Sequence, residues 1–174
     1  VGELLDIQSA AAALIRDCGG SIVGRTRLQK VAYLLELAGF GNGFDFSYKY
    51  YGPYSEELTL GIRMARAFGV VTEVERTTNW GGFYSIYEFV GNVRVRKNKD
   101  RIAFASEASK IDPVELELAA TAAYLAVAEH CRDPWGETAR RKPEKSANGR
   151  IEQAKNAYRR LQQMKSAKPL PAIV

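Results

Sequence analysis

One histidine and two cysteines in 174 residues leave little for a metal or a disulfide framework. Cys18 and Cys131 form no CxxC and no Cys/His spacing. Both fall in apolar helical surroundings, the setting of buried thiols in a reducing compartment. No glycine-rich phosphate loop, GxSxG elbow or HExxH occurs. His130 has Cys131 beside it, but neighbours on a helix point about 100° apart. It reads as a helix-end histidine near backbone carbonyls. The longest apolar run, LAATAAYLAVA at 118–128, is too short for a bilayer and lies between Glu117 and Glu129. No signal-peptide pattern appears. The expectation is a cytoplasmic, non-enzymatic chain, with no catalytic residue, metal, cofactor or membrane contact.

What is present is a foldable composition. Hydrophobic residues make up 46% and charged residues 26%, which suits one globular core with a helical extension and excludes a disordered chain. The net charge is +5, and its distribution is uneven. Residues 139–168 hold ten Lys/Arg against two Glu, so the rest of the chain is net acidic. A second basic cluster, VRVRKNKDR, occupies 93–101.

Spacing predicts the elements. Leu4, Ile7, Ala11, Leu14 and Cys18 recur at helical intervals over 3–18, and Gly19-Gly20 ends that helix. A second helix follows to Gly39, with Thr26 as N-cap and Gln29 completing a capping box. FDFSYKY alternates as a strand. Gly52-Pro53 reads as a turn, Ser55 as N-cap of a third helix, and Glu56-Glu57 as its dipole-matched first turn. On that helix Leu58, Ile62 and Ala65 face inward, with Leu60, Met64 and Phe68 widening the apolar side. VVTEVERT and FYSIYEFV, separated by TNWGG, read as a hairpin. After a basic connector, Asp112-Pro113 starts an alanine-rich helix that is apolar on most sides and so expected among other helices. A polar stretch with short helix or linker character leads to a last amphipathic helix through Ile151, Ala154, Tyr158 and Leu161. KPLPAIV reads as a tail.

The fold class is therefore α+β, mostly helical, with a small antiparallel sheet. The order helix, helix, strand, helix, hairpin is that of a winged-helix core. The strand before the third helix is expected to add an edge to the wing sheet. The units are 1–101 as winged-helix-like core, 102–168 as packed helical extension and 169–174 as flexible tail.

Two stretches, TRLQKVAYLLELAGF and YYGPYSEEL, carry a resemblance. The chain resembles the YwgA-like bacterial family in Leu28, Gln29, Lys30, Tyr33, Leu34, Tyr50, Gly52, Pro53, Tyr54, Ser55, Leu58 and Ile62. The match runs over roughly residues 24–75. More distantly it looks like the Panacea (SocA-like) antitoxin domains, although YGPYS replaces their YGPV-type step. The first resemblance implies a helical domain with a winged-helix core. The second implies an antitoxin or an adaptor that hands a toxin to a protease, in a toxin–antitoxin or phage-defence setting.

The candidate surface follows from these readings. The expected partner is another protein, met by Trp80 at the hairpin tip, Tyr51, Tyr54, Arg63 and Arg66. Most of the strand aromatics (Phe44, Phe46, Tyr48, Phe83, Tyr87 and Phe89) are expected in the core. The alternative partner is nucleic acid, held by Arg94, Arg96, Lys97, Lys99, Arg101, Arg150, Lys155, Arg159 and Arg160. Glu56-Glu57 at the start of the third helix opposes the usual recognition-helix approach to phosphates.

Overall fold

The computed structural model describes residues 2–174, with residues 2–6 given by backbone alone; the side-chain burial expected for Leu4 lies outside the described residues. The chain is α+β and mostly helical. Its first helix, α1 (Gly2–Asp17), ends as expected at Gly19-Gly20. A short strand β1 (Ser21–Val23) precedes α2 (Arg25–Leu37). Next come β2 (Ser47–Lys49), β3 (Gly52–Tyr54) and α3 (Glu56–Ala67). The hairpin is β4 (Val71–Thr77) and β5 (Phe83–Phe89). Five helices complete the chain: α4 (Lys99–Lys110), α5 (Pro113–Val127), α6 (Pro134–Arg141), α7 (Pro143–Ser146) and α8 (Arg150–Gln162).

Small residues let α1 and α3 close on each other. Ala10 to Ala13 give α1 a smooth buried face. Gly61 faces it so closely that a Cβ would stand 2.6 Å from the Ile7 carbonyl oxygen and 2.9 Å from the Ala11 Cβ. On the other side of the molecule α5 is buried nearly all round, with Leu116, Leu118 and Leu125 fully enclosed by α2, α6, α8 and β3. The expectation of an interior helix holds, and it rests on alanine and leucine sharing every face.

Several local expectations change. Thr26 does not cap α2: the N-cap is Gly24, at φ 98, and no side chain caps it. Gln29 is spent elsewhere. Gly52-Pro53 is not the turn. It belongs to β3, paired in register Tyr48↔Pro53 and Lys49↔Gly52, so the turn is Tyr50-Tyr51. Gly52, at φ 92, takes the left-handed position and leaves both tyrosines at negative φ. The β2–β3 pair forms its own two-stranded sheet and adds no edge to the sheet of the β4–β5 hairpin. The third strand of the hairpin's sheet is β1, in the order β1-β5-β4. It was not anticipated, because three residues give no period.

The basic stretch 93–101 is a connector only to Asn98, whose side-chain oxygen accepts from the backbone N–H groups of Asp100 and Arg101 and starts α4. The unit boundary expected at 101/102 thus falls inside a helix, and one core cluster runs from Ala11 to Leu170. Leu60 and Phe68 are exposed, so the apolar stripe of α3 is narrower than expected. The tail is docked: Leu170 is buried, and the Pro171 carbonyl accepts from the Tyr158 hydroxyl at 2.6 Å. Cys18 is buried, and burial together with neighbouring Asp17 pushes its thiol up to about 12. Cys131 is half-buried.

Candidate functional site

The two motif stretches turn out to be the two halves of one joint. Ser55 is buried, and the Gln29 amide meets its backbone on both sides. The Ser55 N–H donates to Gln29 Oε1 at 2.8 Å, and Gln29 Nε2 donates to the Ser55 carbonyl at 3.0 Å. The Ser55 hydroxyl accepts from the Leu58 N–H as the expected N-cap. Instead of capping its own helix, Gln29 clamps the backbone at the start of α3. Lys30, 1% exposed, donates from Nζ to the Pro53 carbonyl at 2.7 Å. Burial drops its pKa to about 7, the Glu117 carboxylate works against that, and Lys142 and Lys145 push it further down. Gly52 fits because a Cβ there would stand 2.5 Å from the Thr121 hydroxyl.

Behind this joint lies Glu117, with its side chain 4% exposed, accepting from Lys142 Nζ at 2.8 Å and Lys145 Nζ at 2.7 Å. Lys142 also donates to the Tyr50 carbonyl at 3.1 Å, which fixes the β2–β3 turn against α6 and α7. Tyr50 is 85% exposed; Tyr51 lies edge-on to it at 4.9 Å, with Lys145 Nζ 4.7 Å above its ring.

A second exposed aromatic surface lies at the β4–β5 hairpin. Trp80 is 85% exposed at the hairpin tip, as expected. Phe83, expected in the core, is 70% exposed beside it. The register explains this: Phe83 pairs with Thr77 at the far end of the hairpin, beyond the reach of the helices, whereas Tyr87 pairs with Glu73 and is buried. A depression of about 360 Å³ continues from Phe83 and Tyr84 to Val23, Arg25 and Arg27 at the start of α2.

Arg25 also lines a second cleft, of about 330 Å³, between α2, α3 and the inner face of the sheet. Tyr54, Arg63 and Arg66 come together there, joined by Glu73 and Tyr87. The Tyr54 hydroxyl lies 2.7 Å from Thr59 Oγ1, which fixes the ring against α3. The Glu73 side chain is 8% exposed; it accepts from Ser85 Oγ at 2.5 Å and Arg25 Nη2 at 3.0 Å, and Arg66 Nη1 forms an ion pair with it at 2.5 Å. Burial raises its pKa, but the Ser85 and Arg25 hydrogen bonds and the charge of Arg66 outweigh this and hold it below the usual carboxylate range. Arg63 is exposed and, among the described residues, forms no ion pair. Three guanidinium groups therefore face one carboxylate. Sequence reading missed Arg25 and Glu73; the available signal was a glutamate on the strand face that also carries Val71 and pairs with Tyr87.

The basic residues expected to hold nucleic acid do not converge. Arg94, Arg96, Lys97 and Lys99 are exposed along the connector and the first turn of α4. Arg101 is buried: its Nε pairs with Asp17 at 2.9 Å, and its Nη1 donates to the Phe40 carbonyl at 2.6 Å. Arg150 pairs with Asp112, Lys155 pairs with Glu152, and Arg159 donates to Asn156 on α8, while Arg160 is exposed. Among the described residues no cluster of His, Cys, Asp and Glu is placed to hold a metal ion, and no helix is long and apolar enough to cross a membrane.

The molecule is thus an α+β, mostly helical protein with an aromatic hairpin tip and an arginine-lined cleft. No family model matches the chain. Over 65 residues it is 38% identical to the protein described as uncharacterized protein YwgA of Bacillus subtilis (strain 168). That stretch covers 37% of this chain and 38% of YwgA, so the chain spans well under half of that relative. The relationship is YwgA-like over that part.

Proposed function

We propose that this chain is a non-enzymatic, cytoplasmic regulatory module that binds another protein through its β4–β5 hairpin. The observation that carries the reading is the uncovered aromatic tip, Trp80 and Phe83, continuous through Tyr84 with the Arg25 depression. Large aromatics on an open surface, next to arginine, are the composition of interface hot spots. The more distant resemblance to Panacea (SocA-like) domains supports an antitoxin-like or adaptor-like setting. The free thiols Cys18 and Cys131 support a reducing compartment. Trp80→Ala should leave folding intact and lower capture of the partner by about tenfold or more in a pull-down. Unchanged capture would remove the hairpin tip as the binding surface.

A second reading is a winged-helix nucleic-acid binder. It is favoured by the order α1, β1, α2, α3, β4, β5 with sheet order β1-β5-β4, and by the exposed basic connector Arg94–Lys99. It predicts duplex binding that weakens steeply with salt. No gel shift at low salt would eliminate it.

A further inference from the structure

The cleft between α2, α3 and the sheet has a charge imbalance that folding does not require. Two guanidinium groups, Arg25 and Arg66, share the single negative charge of Glu73, which Ser85 also engages. Arg25 and Arg66 keep much of their surface open, with side chains 66% and 44% exposed. Arg63 adds a third guanidinium with no carboxylate of its own among the described residues. The wall between them is apolar at Leu28 and Ile62 and carries hydroxyls at Tyr54 and Thr59. Forked guanidinium groups above an apolar floor match a carboxylate borne on an aliphatic stem.

We propose that this cleft receives an acidic side chain from an extended, Glu/Asp-rich segment of a partner protein. The proposal rests on the protein-binding reading and names the chemistry of the segment that is bound. A peptide carboxylate fits better than a nucleic-acid backbone because of size: the cleft, at about 330 Å³, holds a side chain or two and not a duplex.

The test is an NMR titration of the full chain with a synthetic octapeptide of alternating Glu and Leu. Controls are the same peptide with Lys in place of Glu, and a short DNA duplex. The expected result is a saturable shift of the Arg25, Arg63 and Arg66 side-chain N–H signals with the acidic peptide alone. Arg63→Gln, which removes an exposed group, should weaken binding by about tenfold. Glu73→Gln should tighten it, because the cleft gains a net positive charge. The proposal is overturned by the absence of a saturable shift at millimolar peptide. It is also overturned by affinity indifferent to both substitutions, or by a duplex that moves the same signals at lower concentration. A silent cleft together with loss of partner capture in Trp80→Ala would remove this proposal and leave the hairpin-tip reading standing.

Discussion

Glu117 and Glu73 each hold two basic side chains, one inside the molecule and one at its surface. Glu117 meets Lys142 and Lys145 between α5, α6 and α7, with buried Lys30 behind it. Glu73 meets Arg25 and Arg66 at the mouth of a cleft, with exposed Arg63 beside it. The first cluster is closed by the joint between Gln29, Lys30 and the Gly52–Ser55 segment. The second is open on one side. Similar charge counts therefore do different work: the closed one holds the β2–β3 hairpin against the helices, and the open one is free to meet a partner.

The largest expected effect lies in the closed cluster. Glu117→Gln leaves Lys142 buried without its counter-charge and should cost about 3 to 5 kcal/mol in chemical denaturation. Gln29→Ala leaves the N–H of buried Ser55 without its acceptor and should cost about 1 to 3 kcal/mol. Lys30 gives a pH signature. Its folded-state pKa lies near 7, below the ordinary value of 10.5, so between those pH values the unfolded chain holds a proton that the folded chain has released. Stability from this group should therefore rise with pH across that window, by up to about 1.4 kcal/mol per unit, and Lys30→Met should flatten the rise. A slope identical in the two proteins would contradict a buried, deprotonating Lys30. In the open cluster, Glu73→Gln leaves arginines that water can still solvate and should cost about 1 kcal/mol or less. A loss as large as that of Glu117→Gln would erase the distinction between the two.

Much of the fold was legible because it is written locally. Ser55 as cap, Gly19-Gly20 and Gly39 as stops, the hairpin around Asn79–Gly82 and the interior character of α5 all follow from neighbours in sequence. The errors lie where a distant contact overrides a local preference. Gln29 has the spacing of a capping box with Thr26, yet its amide oxygen is spent on Ser55, whose buried N–H would otherwise lack an acceptor. Gly52-Pro53 has turn chemistry, yet the close approach of Thr121 holds it as strand. The site was half legible. Trp80 stands out as a tryptophan between Asn79 and Gly81, and Tyr54, Arg63 and Arg66 are legible as surface candidates, but their meeting place is not. Arg25 and Glu73 join them only through the pairing of β4 with β5, which no spacing reveals. Arg101 shows the converse: it sits in a basic run, and the fold spends it on Asp17.

A hairpin tip and cleft displayed for a partner are not needed for folding. The direct measurement is urea unfolding of a variant carrying Trp80→Ala, Phe83→Ser and Arg63→Gln together. The expected change is within about 0.5 kcal/mol per site, as for surface positions without structural partners. A loss of several kcal/mol would show these side chains packed into the native state and would contradict a surface kept open for a partner.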